Sequence, residues 1–125
     1  MIYGLGVDLV EIARIERTLE KYGTHFESKY FTKGEAAYCR SRPDPGRHFA
    51  ARFAVKEAVL KCLGLGLGQG LALKDIEVVH AEDGKPLCRL SGGGREIFGR
   101  LGLSAIHISI SHEKKYAVAQ AIAEQ

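Results

Sequence analysis

The chain predicts an α+β domain, with helices crowded into its first half and strands into its second. Three observations carry that expectation. Residues 47–63 read as a helix that is apolar nearly all the way round, the pattern of a helix buried in a core. Residues 105–111 alternate cleanly, with Ile106, Ile108 and Ile110 on one face and His107, Ser109 and Ser111 on the other. Residues 74–81 and 86–90 read as strands joined around Asp83-Gly84, a hairpin turn signal. No linker, repeat or low-complexity stretch interrupts the 125 residues, so 1–125 is expected to form one domain.

The remaining elements follow in order. Residues 2–10 predict a strand in which Gly4 and Gly6 permit close backbone approach, with Asp8 near its end. Residues 11–22 predict an amphipathic helix. Ile12, Ile15, Leu19 and Tyr22 share one face, and Arg14, Arg17 and Lys21 share the opposite one. Gly23 stops it. Thr24-His25-Phe26-Glu27 and Thr32-Lys33-Gly34-Glu35 both carry the capping-box pattern, opening short helices near 25–30 and 33–41. Residues 42–46, with two prolines, are expected to be loop. The central helix runs out into Gly64-Leu65-Gly66-Leu67-Gly68-Gln69-Gly70. Ser91 is placed to cap a short helix near 93–101, although three glycines blur its start. A tight turn at Glu113-Lys114-Lys115 leads into a last strand over 116–123.

Composition excludes several classes. Hydrophobic content of 46% and charged content of 26% are those of an ordinary globular domain. No stretch approaches a membrane span. The start has neither a basic region nor a cleavage site, which predicts no signal peptide and a cytoplasmic protein. The three cysteines, Cys39, Cys62 and Cys88, are odd in number and widely spaced, suggesting neither a disulfide framework nor a zinc site. A net charge of +3 allows an anionic ligand or acidic partner without requiring one.

The chemistry concentrates in the central helix. Glu57 and Lys61 lie one turn apart on a narrow polar sector. Ala50 and Ala54 flank that sector and would let a ligand approach the backbone. A carboxylate so placed needs a cation, a metal or a shifted pKa, and an ordinary helical ion pair meets that need equally well. Asp8 and Glu57, far apart in sequence, could meet to hold a hard cation such as magnesium. Asp8 fits a helix cap as readily. Lys61 suits a phosphate oxygen. The glycines after it could offer backbone N–H groups to a phosphate or merely end the helix. They do not form a P-loop, since no Gly-Lys-Ser/Thr follows. His107 reads as a hydrogen-bonded strand residue, and with His112 it lacks zinc-like spacing. The Arg14/Arg17/Lys21 stripe is either a solvated face or a dock for an acidic helix.

Together these pieces resemble a family. Gly6-Val7-Asp8-Leu9, Phe31-Thr32-Lys33-Gly34-Glu35-Ala36-Ala37-Tyr38-Cys39, Arg52-Phe53-Ala54-Val55-Lys56-Glu57-Ala58-Val59-Leu60-Lys61 and Ser109-Ile110-Ser111-His112 are similar to the 4′-phosphopantetheinyl transferases, of the short holo-acyl-carrier-protein synthase type, along the whole chain. The resemblance implies that fold and the transfer of 4′-phosphopantetheine from coenzyme A to a serine of apo acyl carrier protein, with release of adenosine 3′,5′-bisphosphate, in fatty acid biosynthesis. It implies Asp8 and Glu57 as magnesium ligands, and Glu57 or a water beside it as base, with Glu35 another candidate acid. Lys61 would hold phosphate oxygens, Arg52 and His107 the nucleotide, and Gly64 and Gly66 the phosphates. It implies a homotrimer with active sites between subunits, and it turns Arg14, Arg17 and Lys21 into a dock for the acidic carrier protein. Leu65 departs from the family, whose loop often has a hydroxyl there, so only backbone contacts remain. Two other readings compete. A non-catalytic coenzyme A or nucleotide module has no need of both carboxylates. A basic protein-binding domain would use the stripe alone.

Overall fold

The computed structural model describes residues 1–66 and 70–125. Leu67, Gly68 and Gln69 of the expected glycine-rich connector lie outside the described residues. The order is β1 (Ile2–Glu11), α1 (Ile12–Tyr22), α2 (Thr24–Tyr30), α3 (Lys33–Arg40), α4 (Pro45–Cys62), a 3-10 turn (Leu73–Asp75), β2 (Ile76–His80), β3 (Pro86–Leu90), α5 (Gly92–Arg100), β4 (Ala105–His112) and β5 (Tyr116–Glu124). The strands β1-β5-β4 form an antiparallel sheet, and β2 and β3 a separate hairpin. The expected α+β domain is therefore observed.

The sheet wraps α4 so closely because its inner face is nearly without side chains. β5 turns Ala117, Ala119, Ala121 and Ala123 inward, all buried. In β1, a Cβ on Gly4 would stand 2.0 Å from the Cys62 carbonyl oxygen, and one on Gly6 2.0 Å from that of Ala58. No side chain fits at either position. The core fills from the other side of α4 with Phe49, Val55, Val59 and Leu60, joined by Ile15, Phe31 and Ile76. The opposite face of the sheet is apolar but open. Leu5, Val7 and Leu9 are 61%, 56% and 64% exposed.

Several local expectations need correction. α4 begins at Pro45, not 47, because proline is tolerated at a first helical turn whose N–H has no partner anyway. The Thr32 capping box is present, with Thr32 accepting from the Glu35 N–H and Glu35 from the Thr32 N–H. The Thr24 box is not. Gly23 takes the cap position and Thr24 falls inside the helix. Asp8 caps nothing; it lies within β1 opposite Ala119, and Glu11 precedes α1. Tyr22 is 52% exposed, at the mouth of a cavity rather than in the core. Ala50 and Ala54 are fully buried by the protein itself, so no ligand reaches the backbone there. The expected strand over 74–81 starts two residues late, after the 3-10 turn.

Candidate active site

β1 and α4 bring together the two carboxylates that the sequence leaves far apart. Asp8 sits on the inward parity of β1, where the glycines before it let the strand lie against α4. Lys61, in the last turn of α4, donates to Asp8 Oδ1 at 3.0 Å and to the Val7 carbonyl at 3.0 Å. The Lys61 side chain remains half exposed, whereas Asp8 is largely covered. Glu57 stands one turn before Lys61. Its pKa is raised, first by burial and next by the charge of Asp8, while Lys61 and Arg14 act in the opposite sense. The two carboxylates therefore feel each other, and a cation would relieve both.

Glu57 opens into a cavity of about 330 Å³ with Arg14, Tyr22, His25, Phe26 and Phe53 among its walls. Its aromatic side is a packed group. Phe26 meets Tyr30 edge-on at 5.3 Å, and Tyr30 meets Phe53 edge-on at 6.3 Å. Of the basic stripe, Arg14 reaches this cavity. Arg17 pairs with Glu11 at 3.3 Å, and Lys21 stands 5.3 Å over the ring of Tyr22. All three are exposed on α1.

Arg52 is placed elsewhere. It is only 2% exposed, its guanidinium lies 4.2 Å from the Tyr38 ring centre, and its Nε is buried without a hydrogen-bond partner. It lines a second cavity of about 320 Å³ with Tyr38, His48, His80, Ser111 and His112. The pKa values of His48 and His80 are lowered, first by burial and then by Arg52 and Arg42. One guanidinium with three imidazoles able to donate N–H bonds, and no carboxylate among the lining residues, suit an anion. The sequence reading missed this cluster, although His48 precedes Arg52 by one helical turn. His107 does not join it. Its ring bonds Glu124 at 2.9 Å, and it lies on the outward face of β4, opposite in parity to His112.

Gly64 and Leu65 close α4. Gly64, at φ +73°, donates to the Lys61 carbonyl at 3.0 Å, and Leu65 donates to that of Leu60 at 2.9 Å. This is the paired Schellman pattern that ends many helices, and Leu65 packs on the core as that pattern favours. The departure at Leu65 thus has a structural reason. Glu35 is buried in an ion pair with Lys56 at 2.8 Å, remote from the role of base. Among the described residues no group of three or more His, Cys, Asp or Glu gathers as a metal centre. A cation at Asp8 and Glu57 would have two protein ligands and take the rest from water and substrate, a set that fits magnesium.

A helix held close against a sheet, with Asp8, Lys61 and Glu57 near one another and a separate cavity lined by Arg52 and three histidines, is a layout without the Cys/His cluster of a zinc site among the described residues. The family model described as the 4′-phosphopantetheinyl transferase superfamily matches residues 4–121, and the chain belongs to that superfamily. It is 44% identical to the holo-[acyl-carrier-protein] synthase of Syntrophus aciditrophicus over 99% of this chain and 97% of that protein. The crystal structure of the holo-[acyl-carrier-protein] synthase from Neisseria meningitidis superposes with a TM-score of 0.93 at 31% identity, covering 100% of both chains. That of the Helicobacter pylori enzyme in complex with coenzyme A gives 0.86 at 29% identity, over 96% and 99%.

Proposed function

We propose that this protein transfers 4′-phosphopantetheine from coenzyme A to a serine of apo acyl carrier protein, releasing adenosine 3′,5′-bisphosphate, and so serves fatty acid biosynthesis in the cytoplasm. The observation that carries the reading is the Asp8–Lys61 pair one helical turn from Glu57, which opens into the cavity that Arg14 also lines. Full-length relatives named for this activity support it. No described helix is long and apolar enough to cross a membrane.

Asp8 and Glu57 would hold magnesium, which when bound supplies charge neutralisation at the pyrophosphate of coenzyme A. Glu57, its pKa raised toward working pH, takes the proton of the attacking serine hydroxyl. Lys61 swings from Asp8 Oδ1 to a phosphate oxygen and holds the charge of the leaving bisphosphate; its half-exposed side chain leaves it free to do so. Gly64 and Gly66, without side chains, would let a phosphate come close to the backbone. Arg14, Arg17 and Lys21 present one sign of charge along α1, which suits the acidic carrier.

Arg52 with His112 binds the nucleotide end. Arg52 and Glu57 are five residues apart on α4, about 140° around the helix, so their cavities open on different sides. They share no lining residue. One extended substrate spans both kinds of cavity most simply when they come from neighbouring copies. The uncovered apolar face with Leu5, Val7 and Leu9 offers a surface for such copies, which supports a homotrimer with sites between subunits. His107 lies on that sheet face, from which it would reach a neighbour's site in such an assembly.

The test is the intact mass of apo acyl carrier protein after incubation with this protein, coenzyme A and magnesium. A gain of one phosphopantetheine group, lost with chelator, is expected. No gain from a folded sample with several carriers would leave a coenzyme A-binding module as the better account. Sedimentation of the same sample should give three times the chain mass.

A further inference from the structure

Lys56 immediately precedes Glu57 on α4 and takes part in none of these steps. Its ammonium group has no solvent exposure. It donates to Glu35 Oε1 at 2.8 Å, to the Leu73 carbonyl at 3.0 Å and to the Ile76 carbonyl. Glu35 in turn accepts from the Thr32 N–H at 3.0 Å on Oε1 and from the Val78 N–H at 3.0 Å on Oε2. One buried polar node thus joins α3, α4, the 3-10 turn and β2.

Stability alone does not account for such a node. A buried ion pair repays its desolvation poorly, and apolar residues of similar volume are often as good or better. What the pair does that apolar residues cannot is hold two carbonyls of the short segment that returns the chain to the core. The 3-10 turn has three residues and no stability of its own. Leu73 from that turn lines the cavity beside Glu57. Residues 70–73 and Asp75 wall a neighbouring cavity with Lys29 and Tyr30. The tie therefore runs from the residue next to Glu57 to a wall of the space into which Glu57 opens.

We infer that Lys56 and Glu35 are positioning residues for the transfer reaction, fixing the 71–75 segment as a wall of the substrate cavity against the helix that carries Glu57. The inference rests on the transferase reading. A wall displaced by even about 1 Å is enough to cost one to two orders of magnitude in rate.

The experiment compares wild-type protein with Glu35→Leu/Lys56→Met, which replaces the pair with apolar residues, and with Glu35→Asp, which keeps the charge but draws it back by one methylene. Steady-state constants for coenzyme A and for carrier protein are measured beside thermal unfolding. The double variant leaves the Leu73 and Ile76 carbonyls and the Val78 N–H without these partners, so it should melt below wild type while staying folded at the assay temperature. Its kcat/KM for coenzyme A should be down about tenfold or more and its KM for carrier protein within about twofold, since the α1 face is untouched. Glu35→Asp should show a smaller loss in the same constant, about threefold. Unchanged constants in a folded double variant would overturn the inference and make the pair purely structural. Should the double variant not fold, Glu35→Asp decides: wild-type constants from it overturn the inference equally. A wild-type protein that does not modify the carrier would instead overturn the transferase reading.

Discussion

α4 carries two lysine–carboxylate pairs, and they are built in opposite ways. Lys56 meets Glu35 at 2.8 Å with both side chains fully buried and every donor matched. Lys61 meets Asp8 at 3.0 Å with the lysine half exposed and a second carboxylate, Glu57, left under electrostatic strain nearby. The closed pair has nothing left to offer a ligand. The open one keeps donor capacity on Lys61, and sets one lysine against two carboxylates. Distance alone does not separate a structural pair from a chemical one; completeness of the surroundings does.

The sharpest break of this comparison is catalytic. Glu57→Gln or Asp8→Asn should lower turnover by about 10²–10⁴-fold or more, the range for loss of a general base, in the carrier-protein mass assay. Thr32→Val, beside the closed pair, should leave turnover far closer to wild type. The next largest effect is on folding, with the order reversed. Lys56→Met strands the Glu35 charge and should cost about 3–5 kcal/mol in urea unfolding. Lys61→Ala should cost less than about 1 kcal/mol, because its pair is solvent-screened, while still losing turnover. Equal stability losses for the two lysine variants would dissolve the distinction.

A smaller effect tests the α1 face. Arg14→Ala/Lys21→Ala should raise KM for the carrier protein by about three- to tenfold at low salt, as loss of exposed charge contacts implies. The gap to wild type should close as salt is raised, since screening weakens what the wild type gains. A gap independent of salt would place the effect in the cavity wall that Arg14 lines rather than in steering.

How much of this was legible in the chain depends on the range of the signal. The strands, the amphipathic α1 and the apolar α4 follow from local periodicity, and both Asp8 and Glu57 stood out as carboxylates in apolar surroundings. The Thr24 box failed because Gly23, at positive φ, takes the cap position and draws Thr24 into the first turn. Lys56 read as one more charge on a buried helix, because its meaning lies in carbonyls of residues 73 and 76 that no periodicity points to. The Arg52 cavity draws His48, His80 and His112 from three elements. His107, in a clean alternation, faces away from that cavity, and His112, of the opposite parity, lines it.

The smallest effect is a matter of sign. Glu57 has its pKa raised in the folded protein, by burial first and by Asp8 second. A folded state that holds the proton more tightly than the unfolded chain loses stability as pH climbs from the ordinary carboxylate range through the raised value. Glu57→Gln carries no charge to bury and should therefore melt above wild type at neutral pH. The difference should fade on acidification and vanish below the ordinary carboxylate value, where both states are protonated. Catalysis runs the other way, since the base works only when ionised, and a cation held beside Glu57 should draw the acid limb of kcat/KM down relative to the metal-free carboxyl. Magnesium should then reverse the order of melting: a cation held by Asp8 and Glu57 stabilises the wild type in proportion to its binding and Glu57→Gln hardly at all. Melting curves with and without magnesium at neutral pH read both signs, and a metal-insensitive wild type would remove the cation from Asp8 and Glu57.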